Sequence, residues 1–180
     1  MPKRNRLFGV SLLLAGLLAA CASSEQDPGS YDPEREARIR VFHGPSVYIY
    51  LGNICDGRSH PVIHAAVGGF SYAARNRRIG MPVAEDTPRS FHEYAIPAGK
   101  PVTVRLHWQA QNASGSWEHC GPTHLMFTPQ AGQDYEAFMR FRGGACQGAE
   151  IREMVKSPEG AVSTMPAPLN ALPFRSCGSW

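Results

Sequence analysis

The 180-residue chain has no apolar run long enough to cross a bilayer as a helix. Its longest uncharged apolar stretch, Leu7 to Ala20, holds 14 residues. At about 1.5 Å each they cover roughly 21 Å of a hydrocarbon core about 30 Å thick. Short catalytic signatures are missing as well. No G-x-S-x-G builds a nucleophile elbow, and no H-E-x-x-H builds a zinc protease. No C-x-x-C occurs, which removes a thioredoxin-type redox centre. Gly68-Gly69 and Gly143-Gly144 read as turns, so no phosphate-cradling loop is present. Carboxylates are sparse, and lysine occurs only at 3, 100 and 156. The chain advertises no reaction.

What it does carry begins at its first residues. Lys3, Arg4 and Arg6 precede the apolar run, and small residues close it. A basic start, a short apolar core and a small-residue end describe a signal peptide over 1–20. The formal charge of +3 belongs to that leader. Beyond it 15 Lys+Arg balance 15 Asp+Glu, so the case for a nucleic-acid partner loses its support.

The run ends Leu18-Ala19-Ala20-Cys21. This resembles the lipobox of bacterial lipoproteins. The resemblance implies cleavage before Cys21, acylation of that residue and a membrane anchor; several acyl chains hold firmly where one is marginal. Ala22 rather than Asp after the cysteine implies, by the same resemblance, sorting to the outer membrane with the body facing the periplasm. Residues 22–37 are polar and hold Pro28, Gly29 and Pro33, so 21–37 reads as a lipidated cysteine and flexible tether.

Four further cysteines remain: Cys55, Cys120, Cys146 and Cys177. An even number in an exported chain reads as two disulfides with three possible connectivities. Cys120 and Cys146 flank an expected hairpin, which favours their pairing and leaves Cys55 with Cys177.

The body over 38–156 reads as strands. Val102, Val104, Leu106 and Trp108 alternate with Thr103, Arg105, His107 and Gln109, the period of a half-buried antiparallel strand. Arg38–Phe42, 47–51 and 93–96 are β-branched or aromatic and read as further strands. Residues 123–128 and 135–141, joined by PQAGQD, read as a hairpin. Residues 61–67 fit either a helix or a strand. The segment 75–90, with four arginines and two prolines, reads as a long surface loop. Residues 149–155 supply an edge strand or short helix. Residues 157–180 are punctuated by proline, lack periodicity, and read as a tail pinned by Cys177. Six to eight short strands at about ten-residue spacing predict an all-β, small antiparallel β-sandwich with long loops. The run I-P-A-G-K-P-V-T-V at 96–104, followed by F-T-P-Q-A-G-Q-D-Y at 127–135, also resembles small proteobacterial lipoproteins and implies no activity.

Few side chains suggest chemistry. His60 and His64 would share one helix face, and His119, Cys120 and His124 are close in sequence, but neither set offers three or four converging ligands. A His-based metal protein or metalloenzyme is thus an alternative reading, and no cofactor is expected. Asp134 and Glu136 read as a solvated face. Arg75, Arg77 and Arg78 form a charge cluster that could grip an anion or an acidic partner. Trp108 reads as core, while Trp117 in a loop is the better exposed candidate for stacking on a glycan. The expected role is a non-catalytic binding or complex-supporting lipoprotein with an envelope protein or peptidoglycan as partner. A secretion-system accessory or an immunity or inhibitor lipoprotein is the narrower version.

Overall fold

A computed structural model describes residues 31–52, 54, 63–65, 77–84, 87, 88 and 90–171. Nine strands run through them: β1 (Glu36–Phe42), β2 (Ser46–Leu51), β3 (Ile63–Ala65), β4 (Phe91–Pro97), β5 (Val102–Gln111), β6 (Trp117–Phe127), β7 (Asp134–Arg142), β8 (Ala145–Lys156) and β9 (Val162–Pro166). They form two sheets, ordered β4-β1-β7-β8-β9 and β3-β2-β5-β6. All pairings are antiparallel except β1 with β7. The protein is a small β-sandwich.

The alternation seen in the sequence places its core. Ala37, Ile39 and Val41 of β1 are fully buried, as are Val47 and Ile49 of β2 and Val102, Val104 and Leu106 of β5. Each set projects from one face of its sheet toward the other sheet, because successive side chains on a strand point to opposite sides. Ala137 of β7 and Ile151 of β8 complete the first sheet's inner face.

Three local expectations give way. Residues 123–128 and 135–141 do not pair as a hairpin, since β6 and β7 belong to different sheets. PQAGQD crosses the sandwich instead, so the apolar faces of the two strands bury against each other. Phe127 and Tyr135 meet edge to face across the gap at 4.9 Å, and the Tyr135 hydroxyl accepts a hydrogen bond from Gln130 N at 3.1 Å. The turn after β4 likewise carries the chain from one sheet to the other. Ile63–Ala65, within the stretch left open between helix and strand, is a strand, so His64 stands on a sheet and not on a helix face. The Pro-punctuated segment contributes β9, which pairs with β8, so 149–155 is not an edge. Proline hides β9 from a periodicity search, and its pattern covers only five residues.

Candidate functional site

The outer face of the first sheet is organised around charge. Arg38 and Arg40 alternate with the buried apolar residues of β1, so they project away from the core. Cross-strand register sets Arg40 opposite Glu93 of β4 on one side and Glu136 of β7 on the other. Arg40 Nη2 donates to Glu93 Oε1 at 2.7 Å, and Nη1 donates to Glu136 Oε1 at 2.8 Å. Arg40 is 0% exposed and Glu93 1%. Arg38 grips Asp134 through Nε and Nη2, at 2.6 and 2.9 Å. Buried charges persist only when paired and hydrogen-bonded, and every member of this row is.

A strap of chain covers the row. The backbone N–H groups of Ile79 and Met81 donate to Glu93 Oε2, at 2.7 and 3.3 Å. The carbonyls of Gly80 and Pro82 accept from Arg38 and Arg40, at 2.9 and 2.7 Å. The described part of the expected surface loop is therefore bound to the sheet, with Met81 buried. Asp134 and Glu136, expected on a solvated face, are buried in this network. The sequence signal was available. Arginines two apart on one strand and acids two apart on another are the pattern of cross-strand pairing.

Of the expected arginine cluster, Arg77 and Arg78 lie against rings of β4. Arg77 sits 5.1 Å from the Tyr94 ring centroid and Arg78 4.9 Å from that of Phe91. Arg75 lies outside the described residues, as do Cys21, Cys55, Cys177 and His60. Cys120 and Cys146 form a disulfide with Cα atoms 5.6 Å apart. It joins β6 to β8 and so staples one sheet to the other. The pairing favoured on the sequence is present, but the expected hairpin is not what brings the two residues together.

A cleft of about 630 Å³ lies against the outward face of the first sheet, beside the turn between β1 and β2. Phe42, Trp108, Phe138 and Phe141 give it aromatic walls, and Glu136, Arg152 and Thr164 supply polar groups. Arg152 lies 4.4 Å over the Phe138 ring and bonds Glu150 at 3.1 Å. Trp108, expected in the core, is half-buried and packs against it while also standing on this wall. Its ring meets Phe141 edge to face, and the pair forms a ridge. On the far side is a second hollow of about 470 Å³, lined by Trp117 and Cys146 among others. Trp117 is 65% exposed. Two irregularities aim the ridge residues: the register shifts between Leu106 and Trp108 on β5 and between Met139 and Phe141 on β7. Such bulges redirect side chains at sheet ends.

At the cleft rim His43 meets His92 edge to face at 5.0 Å, and His92 Nδ1 lies 3.2 Å from the Tyr94 hydroxyl. Burial, with His92 beside it, holds the His43 imidazole below its ordinary range. Among the described residues, no three His, Cys, Asp or Glu side chains converge as metal ligands. His119 is exposed next to the disulfide, and His124 lies on the outer face of the second sheet.

Comparison with known protein families, characterised proteins and solved structures finds no match to this chain. Function has to be read from the side chains. An aromatic cleft of this volume, with a few polar groups at its base, has the make-up of a binding site. The buried acids of the described residues are already engaged by arginines.

Proposed function

We propose that the protein is an outer-membrane lipoprotein, anchored through Cys21, that binds an envelope partner in the cleft walled by Phe42, Trp108, Phe138 and Phe141. The cleft carries this reading: aromatic surface left accessible beside a covalent staple is binding surface, and its charged groups are held in ion pairs rather than poised for proton transfer. The Leu18-Ala19-Ala20-Cys21 run supports the anchor. A narrower version, a secretion-system accessory or an immunity or inhibitor lipoprotein, calls for a stoichiometric protein partner.

Two variants test the two halves separately. Cys21→Ser should release the folded protein from membranes; membrane fractionation of that form refutes the anchor. Thr164→Trp fills the cleft from the outward face of β9 and should abolish capture of the crosslinked partner. Capture at the original level refutes the cleft as the binding site.

Trp117 favours a second reading, in which the partner is the glycan of peptidoglycan. An exposed indole at the edge of a hollow offers a flat apolar face of the kind sugars stack on. Trp117→Ala should then abolish retention on peptidoglycan, and unaltered retention rejects this version.

A further inference from the structure

The two sheets treat arginine differently. On the first sheet's outer face, Arg38 and Arg40 have buried carboxylate partners, and Arg152 has Glu150. On the second sheet's outer face Arg105 has none among the described residues. Its register neighbours are Tyr48 on β2 and His124 on β6, and Tyr48 is in turn opposite His64 on β3. One row, His64-Tyr48-Arg105-His124, therefore crosses all four strands. The described residues that share this face, taken alternately along 46–50, 103–107 and 124–126, include no Asp or Glu.

The row is ordered by ring contacts. His64 stacks on Tyr48 with centroids 4.4 Å apart and an interplanar angle of 17°, and Arg105 Cζ stands 5.5 Å from the same ring. Tyr48 thus lies between an imidazole and a guanidinium. Arg105 Nε is shielded from solvent and makes no hydrogen bond. A shielded guanidinium N–H without an acceptor costs free energy, and such a group is available to an acceptor that a ligand brings. Burial, and after it the Arg105 charge, hold His124 below its ordinary value.

We infer that this face is an oxyanion site centred on Arg105, which takes a phosphate or phosphate-ester group. The guanidinium fork presents several donors to one oxyanion, and Arg is suited to phosphate in this way. His124 and His64 flank the charge one and two strands away, with strands about 4.8 Å apart. The Tyr48 ring orients the guanidinium by stacking. This face is separate from the cleft, whose lining includes none of His64, Tyr48, Arg105 and His124.

The test is a titration of the full-length chain with inorganic phosphate at constant ionic strength, following the backbone amide resonances of 46–50 and 103–107 in every form and the Arg105 Nε–Hε resonance in the wild type. A saturable shift is expected. Arg105→Gln should weaken phosphate binding about tenfold or more, because charge-assisted hydrogen bonds are lost. His124→Gln should weaken it less, and Arg142→Gln, an exposed cation elsewhere, should leave it unchanged. Retained thermal unfolding of Arg105→Gln keeps the comparison valid, and the wild-type titration stands even if that variant misfolds. Vesicles of phosphatidylglycerol against phosphatidylcholine then identify the source. Arg105-dependent retention on the anionic vesicles alone points to a lipid headgroup, and phosphate binding without vesicle retention points to a soluble phosphate ester. A shift that does not saturate, or one unaltered in both the Arg105 and His124 variants, overturns the inference.

Discussion

Trp108 and Phe141 belong to different sheets, yet their rings meet edge to face with centroids 5.1 Å apart. The cross-strand partner of Trp108 is Cys120, and that of Phe141 is Cys146. The two partners are joined to each other covalently. Four residues therefore form one clamp: a disulfide between the sheets, and an aromatic pair hanging from its two ends. Trp108 and Phe141 also line the cleft, so the clamp holds two of its aromatic walls.

Removing the disulfide should be felt as a loss of stability. Its cysteines are 26 residues apart, for which the chain-entropy account gives about 3–4 kcal/mol. The double substitution Cys120→Ser, Cys146→Ser should lower the urea midpoint accordingly. A midpoint equal to wild type would show that the staple contributes nothing to the folded body.

Gly121 beside the clamp should tolerate no side chain. Its φ is +89°, and a Cβ there would lie 2.7 Å from Leu106 O and 2.7 Å from Thr123 N, both backbone atoms. Gly121→Ala should cost about 2 kcal/mol or more, whereas Gly143→Ala, with open space around it, should cost about 1 kcal/mol. Chemical denaturation of the two variants side by side checks the difference, and equal costs would contradict the packing at Gly121.

Arg40→Met should be among the most damaging single changes. It leaves Glu93 and Glu136 buried without their cation and unties the strap at Pro82, so about 3–5 kcal/mol is expected to be lost. Arg78→Met, an exposed cation over the Phe91 ring, should cost no more than about 1 kcal/mol. Thermal unfolding ranks the pair. A mild Arg40→Met would mean that the row is not the anchor of the strap.

Stability should fall on mild acidification. His43 and His124 both titrate below the ordinary imidazole value of 6.5 in the folded protein, chiefly because burial disfavours their charged forms. As the pH drops through about 6.5 the unfolded chain takes up protons first, so its population gains. The contribution is complete above that value, shrinks toward the folded-state values and levels off below them. The double substitution His43→Gln, His124→Gln should flatten the melting-temperature profile between about pH 7.5 and 5.5. An unchanged slope would assign the acid sensitivity to other groups.

The elements legible in the sequence were those with sustained alternation. Val102 to Leu106 fixed β5 and its buried face, Ile39 and Val41 fixed β1, and enough such segments fixed an all-β sandwich. With Cys21 set aside as the expected lipid site, the other four cysteines allow three disulfide patterns, and the favoured Cys120–Cys146 pairing is present. Shorter strands such as β3 and β9 left too few residues for a period to show.

Alternation says which face of a strand is buried, but not which sheet the strand joins. The joining of β6 to β7 looked like a hairpin because a Gly-containing turn can reverse a strand within one sheet or lead it across to another. Only packing chose between them, and it chose the crossing that lets Phe127 face Tyr135. The same limit hid the charges. Arg40, Glu93 and Glu136 are far apart in the chain and individually look like solvated residues. Strand order alone makes them neighbours, and the strap alone buries them. By itself the sequence determined an all-β fold and the supply of cysteines, and it raised the expectation of a lipobox at residues 18–21. The tertiary structure decided the ionic row, the clamped cleft and an Arg105 with no carboxylate partner among the described residues, because each depends on residues brought together across strands rather than along them.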